Sequence, residues 1–333
     1  MTREMAKMTN LTMKKLCAKL KKPAKTLIYC HKNPDPDTLG SAFGLKHILE
    51  HFGSQVKIVD CDEPSAKFHF ITGGVSLTDG YNIDEYERVI AVDVASPAQL
   101  GAESEFANKV DIVIDHHENN TRFCDYYEDF APACAMIIYD IAKSLKLLKK
   151  LPKHFFECIY GGLTGDTGCF KYSNTNAKAM KIGAELVSSG IDFAEINRVI
   201  FDSLTVGEIS ANRMVYDNVN FLLDGRLAII FATNELKAKY GICEADVSDI
   251  VNTVRQIDGV LVAVSIKQSE KDENKFFISS RANVEIDVSK LCASLGGGGH
   301  SRAAGATISK NSPEEAFETV KKTFAEGVLS YVG

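Results

Sequence analysis

Three side chains that can bind a divalent metal lie close together near the start of the chain: His31, Asp35 and Asp37. They follow the apolar run 26–30, which predicts a buried strand, and they precede the helical pattern 38–52. Ligands of open α/β sheets bind beyond the carboxyl ends of the strands, so this loop is well placed. Imidazole with carboxylates suits Mn²⁺, Fe²⁺ or Zn²⁺, and an oxygen-rich set favours Mn²⁺ or Mg²⁺. The competing interpretation is a polar loop in which Asp37 is the N-cap of the helix.

Two further apolar runs end in acidic residues, Asp93 and Asp115, and the second is followed directly by His116 and His117. One of the two histidines can bind a metal while the other contacts substrate, and the preceding aspartate can orient a histidine by accepting its second N–H. A turn aspartate and a chance pair of exposed histidines are the alternatives. Both runs predict strands, so these side chains are expected at the same edge of the sheet as the first cluster.

A fourth candidate, Asp166, lies in a glycine-rich stretch that follows a helical pattern. Glycines let backbone approach a ligand closely, although a plain helix C-cap explains them equally. Together the four clusters offer enough carboxylates and imidazoles for two divalent ions that share one carboxylate. Such pairs lie about 3.5–4 Å apart and hold both the attacking and the leaving oxygen of an in-line phosphoryl displacement. The hypothesis is therefore hydrolysis of a phosphoester by water activated at two metals.

A separate glycine run near the end of the chain is flanked by positive charge. Consecutive glycines expose backbone N–H groups that can bind an anion, and basic side chains add charged donors. The candidate substrate-binding residues are Arg281, Gly297, Gly298, Gly299, His300 and Arg302. The alternatives are a flexible connector for the glycines and a solvated strand end for Arg281.

The elements that must position these residues alternate between strand-like and helical patterns in the first part of the chain. This alternation predicts an α/β fold whose parallel sheet carries helices on both faces. A second set of strands and helices predicts a smaller α/β domain. We expect a catalytic domain over 1–190, a helical linker over 191–215 and a substrate-binding domain over 216–333.

Composition excludes several classes of protein. A net charge of −6 over 333 residues argues against binding long double-stranded nucleic acid. Nine cysteines without a Cys-x-x-Cys pair argue against structural zinc and favour reduced thiols. No signal peptide or membrane-spanning stretch is evident, so a cytoplasmic protein without a membrane partner is expected. A homodimer is left open.

Other histidines are weaker candidates. His47 and His51 have a spacing that can bind a metal, but they share a polar stretch with Lys46 and Glu50. A solvated helix face is the expected explanation. His154 has no partner at a metal-binding spacing.

The combined motifs resemble those of the DHH phosphoesterase superfamily. The N-terminal motifs are His31-x-x-Pro34-Asp35-x-Asp37-x-x-Gly40-Ser41, Asp93, Asp115-His116-His117 and Asp166-x-Gly168-x-Phe170. The run Gly296–Gly299-His300-x-x-Ala-Ala-Gly305 resembles the DHH-associated C-terminal domain. Length and domain order are similar to the RecJ-like branch of nano-RNases and pAp phosphatases, the NrnA type. Pro36 departs from the glycine that many relatives carry there, and it is expected to stiffen the loop.

The resemblance implies two Mn²⁺ ions, with Mg²⁺ or Co²⁺ as alternatives. One ion would be bound by His31, Asp35 and Asp93. The other would be bound by Asp37, Asp93, His116 and Asp166, with Asp93 bridging the pair. His117 would contact the scissile phosphate and Asp115 would support it. The glycine run, His300 and Arg281 would bind the substrate.

The resemblance also implies the substrates. These are short oligoribonucleotides and linear dinucleotides, hydrolysed to mononucleotides, and pAp, hydrolysed to AMP. A cyclic-dinucleotide phosphodiesterase and an inorganic pyrophosphatase or exopolyphosphatase are the enzymatic alternatives. The alternative from another class is a nucleotide-sensing module without turnover.

Overall fold

The first of two compact units, Met1–Ser203, is built on five parallel strands in the order β2-β1-β3-β4-β5. The computed structural model describes residues 11–60, 62–100, 109–117, 125–128 and 130–332. The strands are β1 (Lys25–Tyr29), β2 (Gln55–Val59), β3 (Arg88–Val92), β4 (Ile112–Asp115) and β5 (Tyr126–Tyr127). The predicted parallel sheet and α/β class are confirmed.

Short 3₁₀ helices that contribute Ile83 and Leu100 pack on one face of this sheet, and α-helices pack on the other. Within the described ranges the α-helices are α1 (Met13–Leu20), α2 (Pro36–His51), α3 (His69–Thr72), α4 (Cys134–Ser144), α5 (Lys153–Thr167), α6 (Ala177–Ser188) and α7 (Phe193–Asn197). Successive strand residues point to opposite faces. Ile28 and Ile114 therefore join the large core under the helices, while Leu27 and Val113 join a smaller cluster on the other face.

Helices α2 and α5 pack with their backbones in contact, at positions occupied by glycines. A methyl group at Gly40 of α2 would overlap the carbonyl oxygen of Cys158 on α5. A methyl group at Gly162 would lie 2.6 Å from the Cβ atom of Ala135 and 3.0 Å from Oδ1 of Asp37. Only glycine permits this approach, which brings the first turn of α2 close to the last turns of α5.

The same helix pair carries a histidine contact that the sequence did not reveal. His47 Nε2 lies 2.9 Å from His154 Nδ1, and His154 Nε2 lies 3.1 Å from the carbonyl oxygen of Phe70. A carbonyl only accepts, so His154 carries its proton on Nε2 and His47 donates to His154 Nδ1. Glu50 and His51 lie on the expected solvated face, whereas His47 is partly buried against His154. Burial, followed by His154 and Lys46, lowers the pKa of His47 to about 4.

The second unit, Leu204–Gly333, contains a mixed sheet of six strands in the order β10-β11-β9-β8-β7-β6. Its strands are β6 (Asn220–Leu222), β7 (Leu227–Ala232), β8 (Val262–Gln268), β9 (Lys275–Ala282), β10 (Gly298–His300) and β11 (Ala303–Ser309). Strands β7 and β8 pair in parallel, and the other pairs are antiparallel. The predicted second α/β unit is confirmed.

Helices pack both faces of this second sheet. They are α8 (Val206–Asn218), α9 (Asn234–Tyr240), α10 (Ile250–Arg255), α11 (Val288–Ser294) and α12 (Pro313–Val332). One core lies under α11 and α12, and the other under α8 and α10. No helix in the described ranges of the chain is both long and apolar enough to cross a membrane.

Candidate metal centre

Side chains from four separate segments of the first unit meet beyond the carboxyl ends of β1, β3 and β4. Three groups form, and within each the potential ligand atoms lie within 4.8 Å of one another. The groups are His31, Asp35 and Asp93; Asp37, His116 and Asp166; and Asp93, His116 and His117. The structure therefore brings together the candidate metal ligands named from the sequence.

In the first group, His31 faces two carboxylates. Its Nε2 atom lies 3.6 Å from Asp35 Oδ1 and 3.5 Å from Asp93 Oδ2. Its Nδ1 atom lies 2.9 Å from the carbonyl oxygen of Lys32, which only accepts, so Nδ1 carries a proton. Burial lowers the pKa of His31, but Asp35 and Asp93 outweigh it and raise the pKa well above its usual value. A proton held between carboxylates marks a position where a cation is favourable.

In the second group, one ring nitrogen of His116 faces three carboxylates. His116 Nε2 lies 3.7 Å from Asp37 Oδ2, 3.2 Å from Asp93 Oδ1 and 3.4 Å from Asp166 Oδ2. The Nδ1 atom of the ring lies 3.0 Å from the carbonyl oxygen of Ala131, which fixes the ring orientation. Burial lowers the pKa of His116, but the surrounding carboxylates, Asp93 foremost, raise it well above its usual value.

Asp93 belongs to both groups. Its Oδ2 atom faces His31 and its Oδ1 atom faces His116, and the side chain is almost fully buried. Oδ1 is buried and, among the described residues, accepts no hydrogen bond of normal geometry. The residue has φ +59°, a left-handed conformation that aspartate tolerates better than most residues. A buried carboxylate with one oxygen toward each histidine suits a bridging ligand, so the donor set fits two divalent cations.

Asp35, and not Asp37, is the N-cap of α2. Asp35 Oδ1 accepts hydrogen bonds from the backbone N–H groups of Asp37 at 2.9 Å and Thr38 at 3.0 Å. The alternative in which Asp37 caps its own helix is therefore wrong. The capping hydrogen bonds hold the Asp35 carboxylate where it also faces His31.

Asp37 instead accepts hydrogen bonds from the N-terminus of α4. Its Oδ2 atom accepts from the N–H of Cys134 at 2.6 Å, and its Oδ1 atom accepts from that of Ala135 at 2.8 Å. The side chain is completely buried. Burial and repulsion by Asp93 raise its pKa to about 7. Nothing in the sequence indicated that a helix N-terminus reaches this site.

Asp115 and His117 form a hydrogen-bonded pair. His117 Nδ1 lies 2.7 Å from Asp115 Oδ1, and Asp115 is completely buried. His117 Nδ1 is also 3.6 Å from Asp93 Oδ1. Burial lowers the pKa of His117, but Asp115 and Asp93 raise it above its usual value overall. Asp115 thus orients the ring of His117 beside the two ligand groups.

Asp166 lies in the last turn of α5, just before a strained turn. Gly168 ends the helix, and Gly168, Cys169 and Phe170 have φ of +54°, +56° and +63°. The predicted helix C-cap is present, and the same stretch places a carboxylate beside His116. Asn174, which the sequence reasoning did not single out, donates a hydrogen bond at 3.1 Å to the backbone carbonyl of Asp166.

The substrate-binding candidates all lie in the second unit, at one end of its sheet. Gly298, Gly299 and His300 form β10, which Gly297 precedes and Arg302 follows. Pairing places His300, Ala303 and Arg281 in one row across β10, β11 and β9, so their side chains point to the same face.

The glycine run is an ordered edge strand, so the flexible-connector alternative is wrong. Gly299 has φ +137°, and a methyl group there would lie 2.7 Å from the carbonyl oxygen of Ala303. A methyl group at Gly297 would overlap the carbonyl oxygen of Gly305. Glycine is therefore required for β10 to pair closely with β11.

Comparisons with known proteins agree with this arrangement. The model of the DHH family N-terminal domain matches residues 25–163, and that of the DHHA1 domain matches residues 226–326. The probable bifunctional oligoribonuclease and PAP phosphatase NrnA of Streptococcus mutans is 31% identical over 316 residues, covering 92% of this chain and 97% of that protein. The bifunctional oligoribonuclease and PAP phosphatase NrnA of Bacillus subtilis is 26% identical over 292 residues, covering 85% and 88%.

A solved structure shares the whole fold. The crystal structure of an exopolyphosphatase-related protein from Bacteroides fragilis superposes with a TM-score of 0.82, 24% identity and 94% coverage of both chains. Both domain models match in the expected order, and the ligand groups lie within the DHH-domain match or just beyond its end. The chain therefore belongs to the DHH phosphoesterase family and is a metal-dependent phosphoester hydrolase.

Proposed function

We propose that this enzyme hydrolyses short oligoribonucleotides and linear dinucleotides to mononucleotides, and pAp to AMP, with Mn²⁺ as its metal. The observation that carries the proposal is the position of Asp93, whose two oxygens face two separate groups of ligand atoms. The relatives named above, which are described as oligoribonucleases and pAp phosphatases, support the choice of substrate.

The donor atoms support the choice of metal. His31, Asp35 and Asp93 would hold one ion. The other ion would be held by Asp37, Asp93, His116 and Asp166. Carboxylate oxygens outnumber imidazole nitrogens, and no cysteine belongs to the groups of potential ligands in the described residues, which favours Mn²⁺ over Zn²⁺. When bound, two divalent ions supply Lewis-acid activation of water and neutralise charge on the phosphoryl oxygens.

We assign His117 the task of contacting the scissile phosphate. Its Nδ1 atom is engaged with Asp115, which sets the ring orientation and favours the imidazolium form. An imidazolium Nε2–H donates a hydrogen bond to a phosphoryl oxygen and stabilises the negative charge that develops there. Asp115 is a positioning residue that acts through His117.

The chemistry of the nearby thiols argues against a phosphoenzyme formed on cysteine. Cys30 and Cys134 are completely buried near the ligand groups, and burial, reinforced by neighbouring carboxylates, raises the pKa of both thiols well above the usual value. A thiol must be ionised to act as a nucleophile, so neither cysteine is suited to form a phosphoenzyme.

The second unit supports recognition of a nucleotide phosphate. Arg281 and His300 lie in the same row of the sheet, and the backbone of β10 lies beside them without side chains at its two glycines. Guanidinium, imidazole and backbone N–H groups are suitable donors to a phosphate. We propose that this face, with Arg302, contributes donors for substrate binding.

A hydrolysis panel with Mn²⁺ tests the proposal. It contains pAp, pGpG, pApA, an RNA length series, cyclic dinucleotides and pyrophosphate. We expect mononucleotides from the short RNAs and linear dinucleotides, and AMP from pAp. Activity on pyrophosphate alone would overturn the proposal, and activity confined to cyclic dinucleotides would replace it with a cyclic-dinucleotide phosphodiesterase. Metal-dependent nucleotide binding without turnover would favour the sensing module.

A pair of aspartate variants links activity to the shared carboxylate. Asp93→Asn is expected to reduce kcat by at least about a hundredfold, since it weakens both ligand groups at once. Asp224→Asn is the matched control, because Asp224 is an exposed aspartate of the second unit with a similar left-handed φ of +56°. Full activity in Asp93→Asn would show that the two-metal assignment is wrong.

A further inference from the structure

The segment 130–132, which precedes α4, accepts hydrogen bonds through three consecutive backbone carbonyls. The first carbonyl accepts from Asn176 Nδ2 at 2.8 Å. The second accepts from His116 Nδ1 at 3.0 Å, and the third accepts from Asn174 Nδ2 at 3.3 Å. Two asparagines therefore bind this piece of backbone on either side of the carbonyl that orients a metal-ligand histidine.

The same stretch continues into the helix terminus that holds Asp37. The N–H groups of Cys134 and Ala135 donate to the two oxygens of that carboxylate. Two members of the second ligand group, Asp37 and His116, are thus both placed by the backbone from 130 to 135.

Asn174 connects the third member to this backbone. Its single amide nitrogen donates to the carbonyl of Pro132 at 3.3 Å and to the carbonyl of Asp166 at 3.1 Å. An amide nitrogen has two protons, so both hydrogen bonds can form at once. The strained turn at 168–170 carries the chain from Asp166 around to Asn174.

We propose that Asn174 is a positioning residue for the metal group formed by Asp37, His116 and Asp166, which it holds in register through the segment 130–132. This inference rests on the proposed function. Asn176 supports the same segment from its other end, and its Oδ1 atom also caps α6 by accepting from Ala179 N–H at 2.9 Å. Because Asn176 has this second task, Asn174 gives the cleaner test.

The two ligand groups differ in their dependence on Asn174. His31 and Asp35 make no hydrogen bond to the segment 130–132 or to Asn174 among the bonds found in the described residues. Loss of the Asn174 amide should therefore weaken the binding of one of the two metal ions. Groups that orient metal ligands typically change metal affinity about 10- to 100-fold when they are removed.

The experiment is calorimetric titration of the metal-free full-length chain with Mn²⁺, together with kcat and KM measured across Mn²⁺ concentration. For Asn174→Ala we expect one class of sites weakened about 10- to 100-fold and the other unchanged. Activity should be regained at high Mn²⁺ with the KM for substrate unaltered. A purely structural role would lower thermal stability without this selective change in metal affinity.

Asn220→Ala is the matched control. The Asn220 amide nitrogen also donates to two backbone carbonyls, those of Asn218 and Ile229, both at 3.3 Å, but it lies in the second unit. We expect its Mn²⁺ titration to equal that of the wild type. If Asn174→Ala does not fold, Asn174→Ser is titrated in its place.

The outcomes separate this inference from the proposed function. Wild-type Mn²⁺ affinity in a folded Asn174 variant would overturn the inference, whichever substrate the enzyme hydrolyses. Equal weakening of both classes of sites would also overturn it. If the wild type binds two Mn²⁺ ions but hydrolyses no substrate in the panel, the proposed function fails, and the affinity comparison still decides the role of Asn174. A wild type that binds no Mn²⁺ overturns both.

Discussion

The crowding of carboxylates predicts that Asp166→Asn stabilises the metal-free protein while it weakens metal binding. Burial, followed by repulsion from Asp37 and Asp35, raises the pKa of Asp166 well above its usual value, so its ionised form is unfavourable in the fold. At an effective dielectric constant of 20, the Asp37 charge within 4.8 Å costs at least about 3 kcal/mol, and protonated His116 at 3.4 Å contributes about 5 kcal/mol of attraction. Burial, Asp35 and Asp93 add to the repulsion and make the balance unfavourable. Since a quarter of the side chain reaches solvent, about 1 kcal/mol is the expected net gain for Asp166→Asn.

Asp37→Asn also removes one negative charge, but it should destabilise the metal-free protein. Both oxygens of Asp37 accept backbone hydrogen bonds from α4, whereas an asparagine has one acceptor oxygen and an NH₂ group that would face an N–H. Loss of a hydrogen bond to a charged group typically costs about 1.5–3 kcal/mol, which exceeds the relief of repulsion. Comparing the two Asp→Asn variants therefore separates the effect of relieving charge repulsion from the effect of losing backbone hydrogen bonds.

Thermal unfolding at pH 8, in a chelator and in excess Mn²⁺, provides the assay. A change of 1 kcal/mol shifts Tm by about 2–4 °C in a folding unit the size of Met1–Ser203. We expect Asp166→Asn to raise the metal-free Tm by that amount and Asp37→Asn to lower it by at least as much. Wild type in Mn²⁺ at about a hundred times Kd should gain about 2.7 kcal/mol for each ion bound, and both variants should gain less. A lower metal-free Tm for Asp166→Asn, or an unreduced gain in Mn²⁺, would refute the reasoning.

Three further predictions concern single substitutions. Asp115→Asn should lower kcat about 10- to 100-fold with little change in Mn²⁺ affinity, because Asp115 acts by orienting His117, and a large loss of metal affinity in titration would contradict this. Gly40→Ala should destabilise the fold by about 1–3 kcal/mol through backbone overlap, whereas Gly80→Ala, which meets no atom within 4 Å, should leave the denaturant midpoint unchanged. His47 has a folded pKa of about 4, below that of the unfolded chain, so its contribution to stability is present above about pH 6.5 and lost as pH falls toward 4. His47→Gln should therefore flatten the stability profile over that range by about 1–2 kcal/mol after discounting for partial exposure, and identical wild-type and variant profiles would show that His47 is not responsible.

The grouping of the candidate metal ligands could be predicted because it follows a simple topological rule. Asp93 and His116 each follow a buried apolar strand, and neighbouring parallel strands end at the same edge of their sheet. The rule requires only the order of strands and helices. The two-unit α/β architecture could be predicted for the same reason, since alternation of the two patterns restricts the topology.

The contacts that orient the ligands could not be predicted in this way. Backbone N–H and carbonyl groups hold Asp37 and His116, and every residue carries such groups, so the sequence gives no sign of which ones are used. His47 was misjudged because its partner, His154, lies 107 residues away along the chain. The N-cap of α2 is Asp35, whereas the alternative interpretation placed it two residues later at Asp37, because helical periodicity does not distinguish the two positions.

The order of the ligands along the chain has a consequence for synthesis of the protein. His31 is the first ligand to leave the ribosome and Asp166 the last, and Asn174 follows it. At about 5–20 residues per second, roughly 7–30 s separate the first ligand from the last. A nascent chain that lacks α5 also lacks Asp166, so partly synthesised chains have only part of the proposed metal site. Metal capture then becomes a late event that accompanies completion of the first unit.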